Sequence, residues 1–221
     1  MIQADRTREP EPGAASLLYR NQDDRWPEFA GRDLISRNPS LEYVNLTSNR
    51  AVIEDVLRTQ LKALPQDPGG PTLVTTTAGG NDVLALKALS QRAGLQTLDR
   101  SLDLLRGLVH ALRSRFRKPT IVLSTVYDPS DGAAQLGDGI VMRREWEWLQ
   151  LLNAAIRQIA TDEGCVLADL HAHFLGHGLS ERDPGKRWYR SRTFITLNTQ
   201  GCSEVRRVWL NALERSEGSS R

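Results

Sequence analysis

Short β-branched segments alternate with long amphipathic ones along this chain, and that alternation limits its fold more than any single motif does. Residues 72–77 have the composition of a buried strand and run straight into Ala78-Gly79-Gly80-Asn81-Asp82. Leu98, Leu102, Leu105, Val109 and Leu112 then recur at helical spacing and stop before Pro119. Residues 120–127 form the clearest strand pattern and close on the turn signal Asp128-Pro129-Ser130-Asp131-Gly132. Met142, Trp146, Leu149, Leu152, Ile156 and Ile159 predict another long helix, residues 165–170 another apolar strand, and Val205, Val208, Trp209 and Leu213 a last helix.

Upstream, residues 41–46 have strand composition and end in the polar turn Thr47-Ser48-Asn49. Ile53, Val56, Leu57, Leu61 and Leu64 build an apolar helical stripe that Pro65 and Pro68-Gly69-Gly70-Pro71 terminate, while the first forty residues read as loop. Strands alternating with helices require a parallel sheet covered on both faces through right-handed crossovers. The expectation is one three-layer α/β/α domain over residues 1–215, with the small polar stretch 216–221 as a disordered tail. Ligands in such sheets bind beyond the carboxyl ends of the strands.

Charge excludes some partners. Lys and Arg total 29 against 27 Asp and Glu, so a net charge of +2 gives no electrostatic footprint for nucleic acid or an anionic membrane. The basic clusters 113–118 and Arg206-Arg207 read as solvated helix faces, and Trp146 and Trp209 as core. No apolar run approaches the ~20 residues a bilayer-spanning helix needs. Residues 1–13 lack the apolar stretch of a secretory signal, which points to a cytoplasmic address and to Cys165 and Cys202 as reduced, structural thiols.

Asn81 falls at the predicted carboxyl end of a strand, where its side-chain amide could donate to an oxyanion. Losing one such donor typically costs on the order of 100- to 1000-fold in rate. The same letters also suit a plain turn, with Gly79 and Gly80 at positive φ and Asn81 and Asp82 capping the next segment. The order of elements around them resembles the SGNH (GDSL) ester hydrolases from their third sequence block onward. The resemblance spans about Gly13 to Leu213 and includes residues 13–21 and Trp26-Pro27-Glu28-Phe29.

That resemblance implies a flavodoxin-like sheet, a small-molecule acyl or acetyl ester as substrate, and no cofactor. It places Asn81 and Gly79 in the third block, completing the oxyanion hole, with Gly80, Asp82 and Arg50 beside the substrate. The departures are equally specific. No Gly-Asp-Ser first block, with its nucleophilic serine, occurs in the sequence. Its expected place lies at or before residue 1, so either the chain begins downstream of that block or the protein lacks both its nucleophile and the usual first strand of its sheet. The second-block glycine aligns with Arg50, although non-glycine residues tolerate positive φ poorly. The fifth block, Asp-x-x-His, falls on residues 193–201, where Thr193 and Thr196 hold the Asp and His positions.

Thr196 cannot act as the base a serine needs. His110 lies on a helix pattern, whereas His171, His173 and His177 follow the strand that Asp169 closes. His177, flanked by glycines, is the candidate displaced base and Asp169 its orienting partner; a turn-capping histidine and a structural aspartate are the alternatives. Asp169, His171, His173 and His177 also have metal-like composition, but their spacing matches no zinc pattern and no metal is expected. Three functions remain open: an ester hydrolase whose serine lies outside this chain, an inactive relative that binds a small ligand, and a nucleotide-binding domain using Gly79 and Gly80. The last lacks any Gly-x-Gly-x-x-Gly or Gly-Lys-Ser/Thr loop.

Overall fold

The computed structural model describes residues 12–218 apart from 65–68, 137–138 and 192. The N-terminus to residue 11, Pro65 and Pro68 of the helix stop, and residues 219–221 of the expected tail lie outside the described residues. The described chain opens with α1 (Ala14–Tyr19), a 3-10 turn at Pro27–Phe29 and α2 (Leu34–Arg37). Asp33 caps α2 by accepting the Ser36 N–H at 2.8 Å, and its other oxygen accepts the Asn21 N–H. Residues 14–37, expected as loop, therefore hold helical turns, with Leu17 and Phe29 fully buried. The predicted helix after residue 52 is α3 (Ile53–Asp55), a π turn at Val56–Gln60 and α4 (Leu61–Ala63).

β1 (Leu73–Thr76) leads into α5 (Gly80–Ala85), a 3-10 turn at Leu86–Ala88 and the long α6 (Gln91–Arg115). β2 (Thr120–Ser124) follows, then the small hairpin of β3 (Gln135–Leu136) and β4 (Ile140–Val141). The chain continues through α7 (Arg143–Asp162), β5 (Val166–Ala168), α8 (Leu170–Phe174), a 3-10 turn at Pro184–Lys186 and α9 (Thr199–Gly218). Residues 216–218, expected in the tail, belong to the last turn of α9.

The fold is α/β, a parallel sheet of order β1-β2-β5 between two helical layers. Leu73 lies opposite Thr120 at one ladder and Val122 opposite Val166 at the other. One face packs α6 and α7 through Leu105, Val109, Trp148, Leu152 and Ile156. The other packs α1 and α9 through Leu17, Val205, Trp209 and Leu210. Trp148, rather than Trp146, is the buried tryptophan of α7, and it lies flat enough on α6 that a Cβ on Gly94 would meet it at 2.5 Å. Trp209 is core as expected, and its indole N–H donates to Ser124 Oγ at 2.9 Å.

Two further sequence expectations fail for identifiable reasons. Arg206 is not on a solvated face: it is completely buried, with its guanidinium 3.6 Å above the Phe29 ring and bonded to Asn21 and Ser203. The flat guanidinium stacks on aromatic faces and carries less hydration than an ammonium, so it is the cation that can be enclosed in this way. Residues 41–46, in turn, form no strand. They have strand composition, but a strand exists only when its backbone groups meet a partner's, and among the described residues none lies alongside them.

β2 also ends earlier than its apolar run. Beyond Ser124, the Val126 N–H donates to Asn153 Oδ1 at 2.7 Å and the Val126 carbonyl accepts from Asn153 Nδ2 at 2.8 Å. A buried side chain of α7 thus replaces a neighbouring strand and steers the chain off the sheet. Asn153→Ala would orphan both backbone groups at about 1–3 kcal/mol each. We expect it to lower unfolding free energy by about 3 kcal/mol, measured as a shifted urea midpoint at unchanged slope.

Candidate functional site

A trough of about 1700 Å³ runs along the outer edge of β1, between that strand and residues 41–49. At the carboxyl end of the strand it is lined by Gly79, Gly80 and Asn81, and across the opening by residues 125–130, Thr193 and Thr196. The turn that presents Asn81 depends on glycine. Gly79 has φ 119°, and a Cβ there would come within 2.9 Å of Leu152 Cδ2. Asn81 Nδ2 donates to the Ala51 carbonyl at 2.9 Å, which fixes the amide across the end of the trough. This bond uses one amide hydrogen and leaves the other without a partner among the described residues.

Arg50 lines the same end and has φ 65°, the left-handed conformation that glycine adopts most readily. Asp82 is turned into the protein. It is buried, accepts the Ile53 N–H at 3.0 Å and the Ser101 hydroxyl at 2.9 Å, and so ties α5 to α3 and α6. Burial pushes its carboxyl pKa up, against the lowering effect of those two bonds. Asp128 holds the loop after β2 closed by accepting the Ser130 N–H, the Ser130 hydroxyl and the Gly132 N–H.

None of the four histidines lines the trough. His177 stacks flat on Trp188 with ring centroids 3.5 Å apart, and its Nδ1 lies 2.9 Å from the Lys186 carbonyl. His173 Nε2 is 2.9 Å from the buried carboxylate of Glu204. His171 Nε2 is 3.2 Å from the Gln150 side chain, and burial holds the imidazole below its usual pKa despite the nearby Asp128 and Asp169. His110 pairs with Glu163 on the surface.

Asp169 orients no imidazole. Arg157 binds it through Nε and Nη2 at 2.9 and 3.0 Å, Thr125 donates at 2.8 Å, and the Ala172 N–H completes a cap on α8. Burial alone would raise its pKa, but the bonds from Arg157, Ala172 and Thr125 outweigh it and keep the carboxyl below the ordinary range. No three His, Cys, Asp or Glu side chains among the described residues are grouped to hold a metal ion, and no helix among them is long and apolar enough to cross a membrane. Two features escaped sequence reasoning. The Asn153 clamp carries no motif, and no reading of the sequence points to the trough.

The sequence profile of the GDSL-like lipase/acylhydrolase family matches residues 11–201. The chain belongs to that family. Its fold is shared with an acetyl xylan esterase, AlAXEase, at 18% identity and TM-score 0.61 over 90% of each chain. An acetylxylan esterase from Geobacillus stearothermophilus superposes at 18% identity and TM-score 0.60, covering 91% of this chain and 80% of that one. A lipase from Streptomyces rimosus superposes at 21% identity and TM-score 0.51, covering 75% and 76%. No curated protein matches the chain.

Two outcomes follow for this member of the family. Arg50→Gly should leave stability within about 1 kcal/mol of the parent, because glycine relieves the left-handed strain but frees the unfolded chain. Arg50→Val should cost more, since a β-branched residue fits that conformation worst; denaturant titration of the pair measures the difference. For Asp82 the folded pKa lies above the unfolded one, so its carboxyl favours folding below the usual 3.8 and loses that contribution as pH rises through the folded value. Asp82→Asn should remove this decline, so that the difference in unfolding free energy between parent and variant changes with pH above 3.8 and levels off once Asp82 is ionised.

Proposed function

We propose that the protein acts on a small acyl or acetyl ester, with the ester carbonyl at the carboxyl end of β1 and Asn81 donating to its oxygen. The observation that carries this reading is the Asn81 amide. The side chain lines the trough, is aimed by its bond to Ala51 and retains one free hydrogen. Membership of the acylhydrolase family and the esterases that share the fold supply the substrate class. Arg50 and Gly80 border the same position and would contact the ester, while Asp82 serves it indirectly by fixing the first turn of α5. No cofactor enters this scheme.

No imidazole lines the trough as described, so the base that a serine nucleophile needs would have to join this frame from outside it. His177 with Asp169 is the base pair proposed on sequence grounds, and for it to work the ring would have to leave Trp188 and the Lys186 carbonyl. A second reading has its own support. With no imidazole on the trough and threonine at positions 193 and 196, the protein binds an ester without turning it over.

Hydrolysis of p-nitrophenyl acetate by the purified protein distinguishes the two. If it is a hydrolase, turnover is measurable and Asn81→Ala lowers the rate by on the order of 100-fold. An unchanged rate in that variant removes Asn81 from the chemistry. If there is no turnover, but a non-hydrolysed acetylated xylo-oligosaccharide shifts the fluorescence of Trp146, which lines the trough, binding alone is the function. Loss of neither signal on changing His177 to Gln would eliminate that residue as base.

A further inference from the structure

We infer that Asp131 is a positioning residue: its carboxylate joins the two walls that face Asn81 across the trough and so sets the size of ester the site admits. The assignment rests on the ester reading and has one readout that is independent of activity.

The two walls come from different parts of the chain. Residues 125–130 follow β2, whereas Thr193, Ile195, Thr196 and Leu197 precede α9. Neither wall contributes a strand to the sheet, so the sheet does not fix one against the other. A third loop, residues 175–180 after α8, lies between them. Asp131 accepts the Gly176 N–H at 3.0 Å through Oδ1, the Gly178 N–H at 2.9 Å through both oxygens and the Ser180 hydroxyl at 2.8 Å through Oδ2. Beside it the Pro129 carbonyl accepts the Leu179 N–H at 2.9 Å.

The connection continues to the second wall. The Trp188 N–H donates to the His177 carbonyl, the Asn198 N–H donates to the Trp188 carbonyl, and the Asn198 side chain donates to the Arg187 carbonyl. Asn198 directly follows Leu197, where that wall ends. A relay of hydrogen bonds thus runs from one wall to the other, and the Asp131 carboxylate is its first link. Below it, Tyr127 packs on Phe174 and edge-on against Tyr189, at ring-centroid distances of 5.2 and 5.5 Å. Those ring contacts bring the loops together, but only directional bonds fix their register.

The junction is built for close approach. A Cβ on Gly178 would lie 2.5 Å from Asp131 Oδ2 and 2.6 Å from the Pro129 carbonyl oxygen. The carboxylate could swing aside, but the carbonyl belongs to the turn itself. Asp131 has φ 53°, a left-handed conformation that a non-glycine residue keeps only where the contacts around it hold it there. An ionised carboxylate has two oxygens that only accept, enough for all three donors, whereas an amide has one.

The ester lies between Asn81 and these walls, so their spacing limits the acyl group. Loosening the junction should weaken the hold on the smallest ester most. Asp131→Ala removes the acceptor, and Gly178→Ala wedges the loops apart without changing a polar group. Each should raise KM for p-nitrophenyl acetate about tenfold, with a smaller change in kcat, and lower the preference for acetate over hexanoate in kcat/KM about tenfold. The double variant should lose little beyond the larger single loss, because both changes open one junction. Gly94→Ala, which crowds Trp148 between α6 and α7, controls for lost stability and should keep both KM and the preference. In Asp131→Ala the amides of Gly176, Gly178, Trp188 and Asn198 should exchange about tenfold faster. If that variant does not fold, Asp131→Asn, which keeps one acceptor oxygen, should shift KM and exchange in the same direction by less. An unchanged KM and preference in both single variants overturns the proposal, as does an equal loss of kcat for every ester. Faster exchange confined to residues 176–180 also overturns it. If the parent hydrolyses neither ester, the ester reading fails, and the exchange of Trp188 and Asn198 alone decides whether Asp131 joins the walls.

Discussion

The rule that buried backbone groups must be paired explains more of this molecule than any side chain does. β2 is satisfied on both sides, by β1 and β5, and it is the most buried strand of the sheet. Among the described residues β1 meets a partner strand on one side, and none of its four residues is fully buried. The same rule determines where strands stop. Val126 leaves the sheet because Asn153 takes both its backbone groups, and residues 41–46 form no strand because no strand among the described residues pairs with them. The trough lies between the outer edge of β1 and residues 41–49.

Around the carboxyl ends of the strands, polar side chains are numerous but mostly committed to one another. Asp169 is held by Arg157, Thr125 and the first turn of α8; Asp128 by its own loop; Glu204 by His173 and Arg207. Each carboxylate therefore stabilises local backbone or a neighbouring cation and is poorly placed to polarise an imidazole facing the trough. Asn81 differs. Its single bond to Ala51 aims it without exhausting it, which is what distinguishes a donor available to a ligand from a turn cap.

Much of the architecture was legible in the sequence because the signals were long. The periodicity of α6 and α7 and the β-branched cores of β1 and β2 were correctly placed, since apolar spacing over many residues outweighs local accidents. Short features were misjudged where tertiary contacts decide. Arg206 followed the pattern of an exposed cation and is enclosed between Phe29 and Trp26. Trp148 was passed over for Trp146, although Gly94 on α6 provides the opening that admits it. His177 had the loop position of a base, but Trp188 arrives eleven residues later to cover its ring, a contact that no spacing rule encodes.

Two left-handed positions at the end of the trough, Gly79 and Arg50, meet the same backbone requirement with different residues. At Gly79 both reasons for glycine are present, a left-handed φ and a leucine pressed against the Cα, so neither substitution nor a shift of the helix is tolerated easily. At Arg50 only the first applies. The left-handed conformation at 65° is present, the residue borders the trough, and the cost is about 1–2 kcal/mol of local strain. A turn that holds a non-glycine residue in this conformation is kept there by the contacts around it. Ala51, next along, explains why: its carbonyl is the anchor of Asn81, so relaxing Arg50 would release the amide from its aim.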